Sequence, residues 1–124
     1  MSKIKIVLAD DSLDLLRILK KIIEADDQLE VIKICPNGLD AVESTIELGA
    51  DVLILDISMP VIDGFQVITQ LREQGSQVKI IVLSGHSFEF YGEKALSIGA
   101  NRYIEKGISV KTIIKDIKDA YHDL

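Results

Sequence analysis

Apolar and polar residues alternate along this chain in blocks of two lengths. Short, mostly apolar blocks have the length of β-strands, and the amphipathic blocks between them have helical spacing. The strand-length blocks lie near residues 4–9, 29–34, 52–55, 78–83 and 101–104. The amphipathic blocks lie near residues 12–25, 38–48, 64–74, 88–98 and 109–122. This repeated strand–helix alternation predicts an α/β fold, with helices packed on a largely parallel sheet.

The helical blocks carry their apolar residues on one side. The first has Leu13, Leu16, Leu19, Ile22 and Ile23 on that side, and the last has Ile113, Ile114, Ile117 and Tyr121. We expect both helices to cover a face of the sheet. Helix starts are indicated at Asp63, which has Gln66 three residues on, and at Ser109. Helix ends are indicated by Gly49, Gly75 and Gly99.

The composition of the strand blocks also predicts their order in the sheet. Residues 52–55 and 80–83 are apolar throughout, which is typical of central strands covered on both faces. Residues 29–34 alternate with charges, and the 101–104 block is short and begins Asn101-Arg102, so both suit sheet edges. A doubly wound sandwich of five βα units with strand order 2-1-3-4-5 fits. We expect residues 1–124 to form one domain.

Size and charge narrow the classes of function. The chain has 124 residues and a formal net charge of −6, so we expect no nucleic-acid binding by this chain alone. No apolar run approaches the ~20 residues of a membrane span, and Met1-Ser2-Lys3 leads directly into a strand, leaving no room for a signal peptide. We expect a cytoplasmic protein that does not bind membranes. Cys35 is the only cysteine, and we assign it no function.

Acidic residues follow two of the predicted strands. Asp10 and Asp11 come directly after the first strand, and Asp56 comes directly after the third. Because neighbouring parallel strands end at one edge of a sheet, the three carboxylates are expected to share a pocket. Their repulsion should raise at least one pKa unless a cation is bound. Oxygen ligands favour Mg²⁺ or Mn²⁺ over zinc. Taken singly, each acid is more typical of a helix cap or a turn.

Four segments in this order resemble the receiver domain of bacterial two-component response regulators. They are Asp10-Asp11, Asp56 within DISMPVIDG at 56–64, Ser84-Gly85, and Tyr103-Ile104-Glu105-Lys106. Each follows a different predicted strand, and the resemblance spans essentially the whole chain. It implies the flavodoxin-like, CheY-like fold. It also implies a signalling switch that is not an enzyme, apart from its own phosphorylation and dephosphorylation.

The resemblance assigns functions to particular residues. Asp56 is the phosphoacceptor, with Ser84 and Lys106 as the groups that contact phosphoryl oxygens. Asp11 and Asp56 bind Mg²⁺ directly, Asp10 binds it largely through water, and Ser58 contributes its backbone carbonyl. A carboxylate nucleophile, a cation and a hydroxyl donor are the groups that phosphoryl transfer needs. Taken alone, Ser84 and Lys106 would be an ordinary turn residue and a surface charge.

The resemblance also predicts partners and a switch. The phosphoryl donor would be a histidine kinase or a histidine phosphotransfer protein. Ser84 and Tyr103 would change the face formed by helix four, strand five and helix five. That face would contact a downstream protein or output domain, or a second copy after phosphorylation. Phe88, Phe90 and Tyr91 cannot all face the core. His86 is expected near the pocket mouth or simply on the surface.

The sequence leaves several alternatives open. Lys106 is followed by Gly107, where many receivers have proline, and this form resembles receivers that often precede a helix-turn-helix DNA-binding domain. A stand-alone regulator and a receiver from a longer transcription regulator both fit. So does a pseudo-receiver that binds a partner without phosphorylation, although the intact acidic set argues against it. An aspartyl phosphatase lacks support because Asp56-Ile57-Ser58 is not an Asp-x-Asp motif, and the acidic first loop does not suit a flavin carrier.

Overall fold

The computed structural model describes residues 2–123 and contains five βα units. The strands are β1 Ile4–Ala9, β2 Leu29–Cys35, β3 Val52–Leu55, β4 Lys79–Ser84 and β5 Arg102–Glu105. The helices are α1 Leu13–Glu24, α2 Gly38–Glu47, α3 Gly64–Glu73, α4 Phe88–Ser97 and α5 Val110–His122. Every predicted element is present, with ends that differ from the prediction by one residue at most. No helix within this part of the chain is long and apolar enough to cross a bilayer.

The five strands form one parallel sheet in the order β2-β1-β3-β4-β5. This confirms the predicted fold, with β2 and β5 at the edges. All four residues of β3 are buried because helices cover both faces of the sheet there. In edge strand β2, buried residues alternate with more exposed ones. The charge pattern of the strands therefore did predict their positions.

The helices form one layer on each face of the sheet. Core residues of α1 and α5, including Leu16, Ile23 and Ile117, belong to one buried cluster. Core residues of α2, α3 and α4, such as Val67 and Ala95, belong to the other. The sheet lies between these two layers, and because its strands are all parallel, their carboxyl ends lie at the same edge of the sheet.

Two residues assigned to buried helix faces were predicted wrongly. Leu13 is 43% exposed, whereas Leu15 packs against the core. At about 100° per residue, Leu13 lies about 90° from the centre of the arc defined by Leu16, Leu19 and Ile23. Tyr121 is also exposed, because the last turn of α5 lies beside an open cleft at the amino edge of the sheet, and Ala120 is buried instead.

The predicted helix ends are confirmed by their backbone geometry. Asp63 caps α3 in a capping box, in which its carboxylate accepts from the Gln66 N–H and the Gln66 side chain accepts from the Asp63 N–H. Ser109 caps α5 by accepting from the Thr112 N–H. Positive φ angles occur at Gly49, Gly75 and Gly99, where left-handed backbone ends a helix.

Candidate functional site

Three carboxylates meet at the carboxyl edge of the sheet, as predicted. Asp10, Asp11 and Asp56 each offer an oxygen, and these oxygens all lie within 4.8 Å of one another. The strand ladder continues one residue beyond the strands, since the Asp10 N–H donates to the Cys35 carbonyl and the Asp56 N–H to the Ala9 carbonyl. Asp10 and Asp56 are therefore held in the sheet and are only 4% and 6% exposed. Asp11, the next residue on, is exposed.

Lys106 reaches this cluster from the end of β5. Its Nζ lies 2.9 Å from Asp10 Oδ2 and 3.5 Å from Asp56 Oδ2. The backbone also positions it, because the Lys106 N–H donates to the Ser84 carbonyl at 2.7 Å. Burial alone would lower the pKa of Lys106, but its bonds to Asp10 and its attraction to Asp56 outweigh burial and raise that pKa. Lys106 is therefore held in its charged form.

The pKa of Asp56 is raised, as the crowding of acids predicted. Its largest cause is burial, which disfavours the carboxylate, and the neighbouring charge of Asp10 acts in the same direction. Lys106 and the Ile57 N–H act against this rise in pKa. Desolvation thus contributes more than the repulsion on which the prediction rested.

The donor set of this pocket fits a divalent cation. Within residues 2–123 the pocket holds three carboxylates, and Lys106 pairs with Asp10 and Asp56, so one ammonium offsets one of three negative charges. Oxygen-only ligands of this charge suit Mg²⁺ or Mn²⁺. Ser58, whose carbonyl was predicted as a further ligand, lies on the exposed loop directly after Asp56.

The loop that follows Asp56 depends on a glycine whose function the sequence did not reveal. A Cβ built on Gly64, the first residue of α3, would lie 2.5 Å from the Asp56 carbonyl oxygen and 2.6 Å from the Ile57 Cα. Its N–H donates to the Ile57 carbonyl at 2.7 Å. Gly64 therefore lets the first turn of α3 pack directly against the backbone of Asp56. Its place after a capping aspartate was the only signal in the sequence.

Val61 in the same loop has a strained backbone. Its φ is +73°, and it is 71% exposed. A left-handed conformation costs an ordinary residue roughly 1–2 kcal/mol, and β-branched residues adopt it rarely. The surrounding loop therefore holds Val61 in place at the expense of stability.

We expect Val61→Gly to raise the free energy of unfolding by about 1 kcal/mol, since glycine adopts this φ without steric cost but loses more entropy on folding. Urea denaturation followed by circular dichroism would measure the change. Val61→Ala is the matched control, because it removes the branch and keeps the Cβ. An equal gain in Val61→Ala would show that the branched side chain, and not the Cβ at positive φ, causes the instability.

Ser84 and Tyr103, the predicted switch residues, are both bonded to the backbone of His86. Ser84 is fully buried, and its Oγ accepts from the His86 N–H at 3.1 Å. The half-buried Tyr103 donates its hydroxyl to the His86 carbonyl at 2.7 Å. The His86 ring is exposed, and its Nε2 lies 3.5 Å from Oγ of Ser58 in the loop after Asp56. One residue therefore links the hydroxyl, the aromatic residue and the loop after Asp56.

The three aromatic residues at the start of α4 do not all face the core, as their spacing predicted. Phe90 is 76% exposed, Phe88 is 40% exposed, and Tyr91 is half-buried. Gly92 has a packing function, since a Cβ there would lie 1.9 Å from the Phe88 ring. The glycine thus provides the space that the Phe88 ring occupies.

Comparisons with known proteins agree with this geometry. Residues 6–118 match the sequence profile of the response regulator receiver domain. The chain is 33% identical over 108 residues to a protein-glutamate methylesterase/protein-glutamine glutaminase of Trichodesmium erythraeum, covering 86% of this chain and 31% of that protein. It is 32% identical over 117 residues to the transcriptional regulatory protein DegU of Brevibacillus brevis, covering 94% and 50%. This chain thus spans half or less of the length of these two relatives.

A solved structure shows the same similarity. The response regulator domain of Thermotoga maritima CheB superposes with a TM-score of 0.91 at 27% identity, covering 98% of each chain. The similarity therefore extends over the whole sheet and all of its helices.

Proposed function

This chain belongs to the response regulator receiver domain family, and we propose that within it Asp56 accepts a phosphoryl group from a phosphohistidine. The observation that supports this proposal best is the meeting of Asp56 with Asp10, Asp11 and Lys106 at one edge of the sheet. A buried carboxylate beside one lysine and two other acids has both a nucleophilic oxygen and the means to neutralise the charge of a phosphoryl group.

In the proposed reaction, an oxygen of Asp56 attacks phosphorus, forming a P–O bond while the P–N bond to the donor imidazole breaks. The bonding pair leaves with the imidazole nitrogen. Lys106 Nζ, 3.5 Å from Asp56 Oδ2, is close enough to follow a phosphoryl oxygen as it arrives. Bound Mg²⁺, or Mn²⁺ in its place, would supply further charge neutralisation. Asp10, Asp11, Asp56 and the Ser58 carbonyl are the proposed ligands.

Ser84 is proposed to contact another phosphoryl oxygen. Its Oγ now accepts from the His86 N–H, so a turn of the hydroxyl toward Asp56 would break that bond. Because Tyr103 is bonded to the carbonyl of the same residue, the β4–α4 loop would have to adjust around both side chains. This shared attachment is the proposed link between phosphorylation and the α4–β5–α5 face.

Tyr103→Phe separates this switch from the chemistry. Phosphoryl uptake should stay within about twofold of wild type, because the Tyr103 hydroxyl touches none of the proposed reacting groups. The response of α4 and β5 to phosphorylation should weaken, because the Tyr103 hydroxyl no longer binds the His86 carbonyl. Intact mass and backbone amide chemical shifts would measure the two effects. A full response of α4 in the variant would rule out this hydrogen bond as the link.

Receiver domains are in general not enzymes, and we propose that this one catalyses only its own phosphorylation and dephosphorylation. The proposed donor is a histidine kinase or a histidine phosphotransfer protein in the cytoplasm, where a free thiol such as Cys35 is usual. We propose residues 1–124 as one folding unit. The output would be a protein partner or a linked domain, with DNA binding, if any, residing in another domain.

Intact mass spectrometry tests the proposed reaction. The protein would be incubated with a small acyl phosphate in the presence of Mg²⁺, and in parallel with a chelator or as Asp56→Ala. We expect one added phosphoryl group only in the first sample. Uptake that persists in Asp56→Ala would contradict the assignment of Asp56. Failure with the acyl phosphate and with a panel of phosphorylated histidine kinases would favour the pseudo-receiver alternative.

A further inference from the structure

Two lines of aromatic contacts leave His86 in different directions. The first starts at its backbone, where Tyr103 donates to the carbonyl. The Tyr103 ring meets Phe88 edge-on with a centroid distance of 5.8 Å, and Phe88 occupies the space above Gly92. This line runs toward β5, along the face already assigned to the switch.

The second line starts at the His86 ring. That ring meets Tyr91 edge-on, with a centroid distance of 4.8 Å and an interplanar angle of 88°. Tyr91 in turn meets Phe65 of α3, with a centroid distance of 5.5 Å. Lys94 Nζ lies 4.2 Å from the Phe65 ring centroid, in a cation–π contact. This line runs from His86, beside the loop after Asp56, to Phe65 of α3.

The second line ends at a groove between α3 and α4. The groove has a volume of about 340 Å³, and Phe65 and Lys94 form part of its wall together with Thr69, Gln70 and Ile98. The contact of His86 Nε2 with Ser58 Oγ places the other end of the line beside the loop after Asp56. A continuous set of side-chain contacts therefore joins the phosphoacceptor loop to this groove.

We propose that the α3–α4 groove is a second surface whose shape depends on phosphorylation of Asp56, coupled through His86, Tyr91 and Phe65. The inference rests on the proposed function of Asp56. Movement of Ser84 toward a phosphoryl group releases the His86 N–H, and the His86 ring is bounded by Ser58 on one side and Tyr91 on the other. The His86 ring contacts Tyr91, and Tyr91 contacts Phe65, so a displaced His86 ring changes the packing of Tyr91 and then of Phe65. Phe65 forms the groove wall.

Amide chemical shifts measured before and after phosphorylation test this coupling. The wild-type protein would be held phosphorylated by excess acyl phosphate and Mg²⁺, with intact mass confirming the added group. Thr69, Gln70 and Ile98 report on the groove, and Arg102 and Ile104 report on β5. We expect both sets to shift in wild type. In Tyr91→Leu the groove set should lose its response while the β5 set keeps it.

Tyr103→Phe is the matched control, because it removes the bond of the first line to the His86 carbonyl and leaves the second line intact. It should preserve the groove response and reduce that of β5. Phe65→Leu breaks the second line at its last ring, and it serves as a second test if Tyr91→Leu does not fold. A wild-type groove that does not respond, or a full groove response in folded Tyr91→Leu and Phe65→Leu, overturns the coupling.

The mass measurement separates this inference from the proposed function. If Asp56 takes up a phosphoryl group and the amide shifts of the groove residues do not change, the coupling is wrong and the proposed function stands. If neither the acyl phosphate nor a histidine kinase delivers a phosphoryl group, the proposed function fails and the coupling fails with it.

Discussion

Asp56→Asn is expected to abolish phosphoryl uptake and, in metal-free buffer, to raise the midpoint temperature of unfolding. The amide has no nucleophilic carboxylate oxygen, so no acyl phosphate forms. Its stabilising effect follows from the raised pKa of Asp56. Burial is the largest cause of that rise, and the negative charge of Asp10 adds to it. A neutral side chain of the same shape removes both costs and retains an oxygen for the Ile57 N–H. The gain should be reduced by the lost attraction to Lys106.

Adding Mg²⁺ should reverse this order of stability. A divalent ion neutralises the wild-type carboxylates, and at a given Mg²⁺ concentration tighter binding stabilises the folded state more. Asp56→Asn has one fewer charged ligand and should gain less from Mg²⁺. Thermal melts would measure this: the midpoint of Asp56→Asn should be the higher one without Mg²⁺, and that of wild type the higher one with Mg²⁺. If Asp56→Asn were the less stable protein in metal-free buffer, ionised Asp56 would have to be stabilising, which contradicts its burial beside Asp10.

The pattern of residues predicted nearly the whole fold because two different signals agreed. Strand blocks were separable from helix blocks by their period, and the edge strands were separable from the central ones by their charges. The two wrong predictions of burial, at Leu13 and Tyr121, rested on helical spacing alone. Leu13 has helical spacing but lies at the margin of the buried arc, and Tyr121 has the right spacing on a helix turn beside an open cleft.

The position of the site was predictable because the carboxyl ends of parallel strands share an edge. Residues after different strands, such as Asp10, Asp56 and Lys106, must then come close together. The finer geometry depends on backbone conformation, which residue types indicate poorly. Nothing in the sequence identifies Val61 as a residue with positive φ, or shows that Gly64 packs on the Asp56 backbone.

The arrangement around His86 was beyond sequence analysis for a different reason. Its backbone bonds to Ser84 and Tyr103, and its ring contacts Ser58 and Tyr91. The four partners come from β4, β5, the loop after β3 and helix α4. No spacing along the chain relates such residues, and an isolated histidine is usually a surface residue. Its central position becomes apparent only when the ends of the strands and the start of α4 are packed together.

Lys106→Met is expected to slow phosphoryl uptake by about 100-fold, the usual loss when a group that stabilises developing charge is removed. Methionine has a similar length but carries no cation to meet a phosphoryl oxygen. Among residues 2–123, Lys106 is the cationic side chain paired with Asp10 and Asp56. Its loss leaves three carboxylates with no ammonium among them. The same substitution should therefore strengthen Mg²⁺ binding while it weakens the reaction.

These opposite directions distinguish a direct action of Lys106 from damage to the pocket. Uptake of the phosphoryl group would be timed by intact mass at saturating Mg²⁺, and Mg²⁺ affinity would be measured by calorimetry. Lys106→Arg retains the charge and should recover part of the rate without the gain in affinity. Asp11→Asn should weaken Mg²⁺ binding, because it removes a ligand from the same cluster. If Lys106→Met lowered both the affinity and the rate, the lysine would be holding the carboxylates in place, and its proposed contact with the phosphoryl group would lose its support.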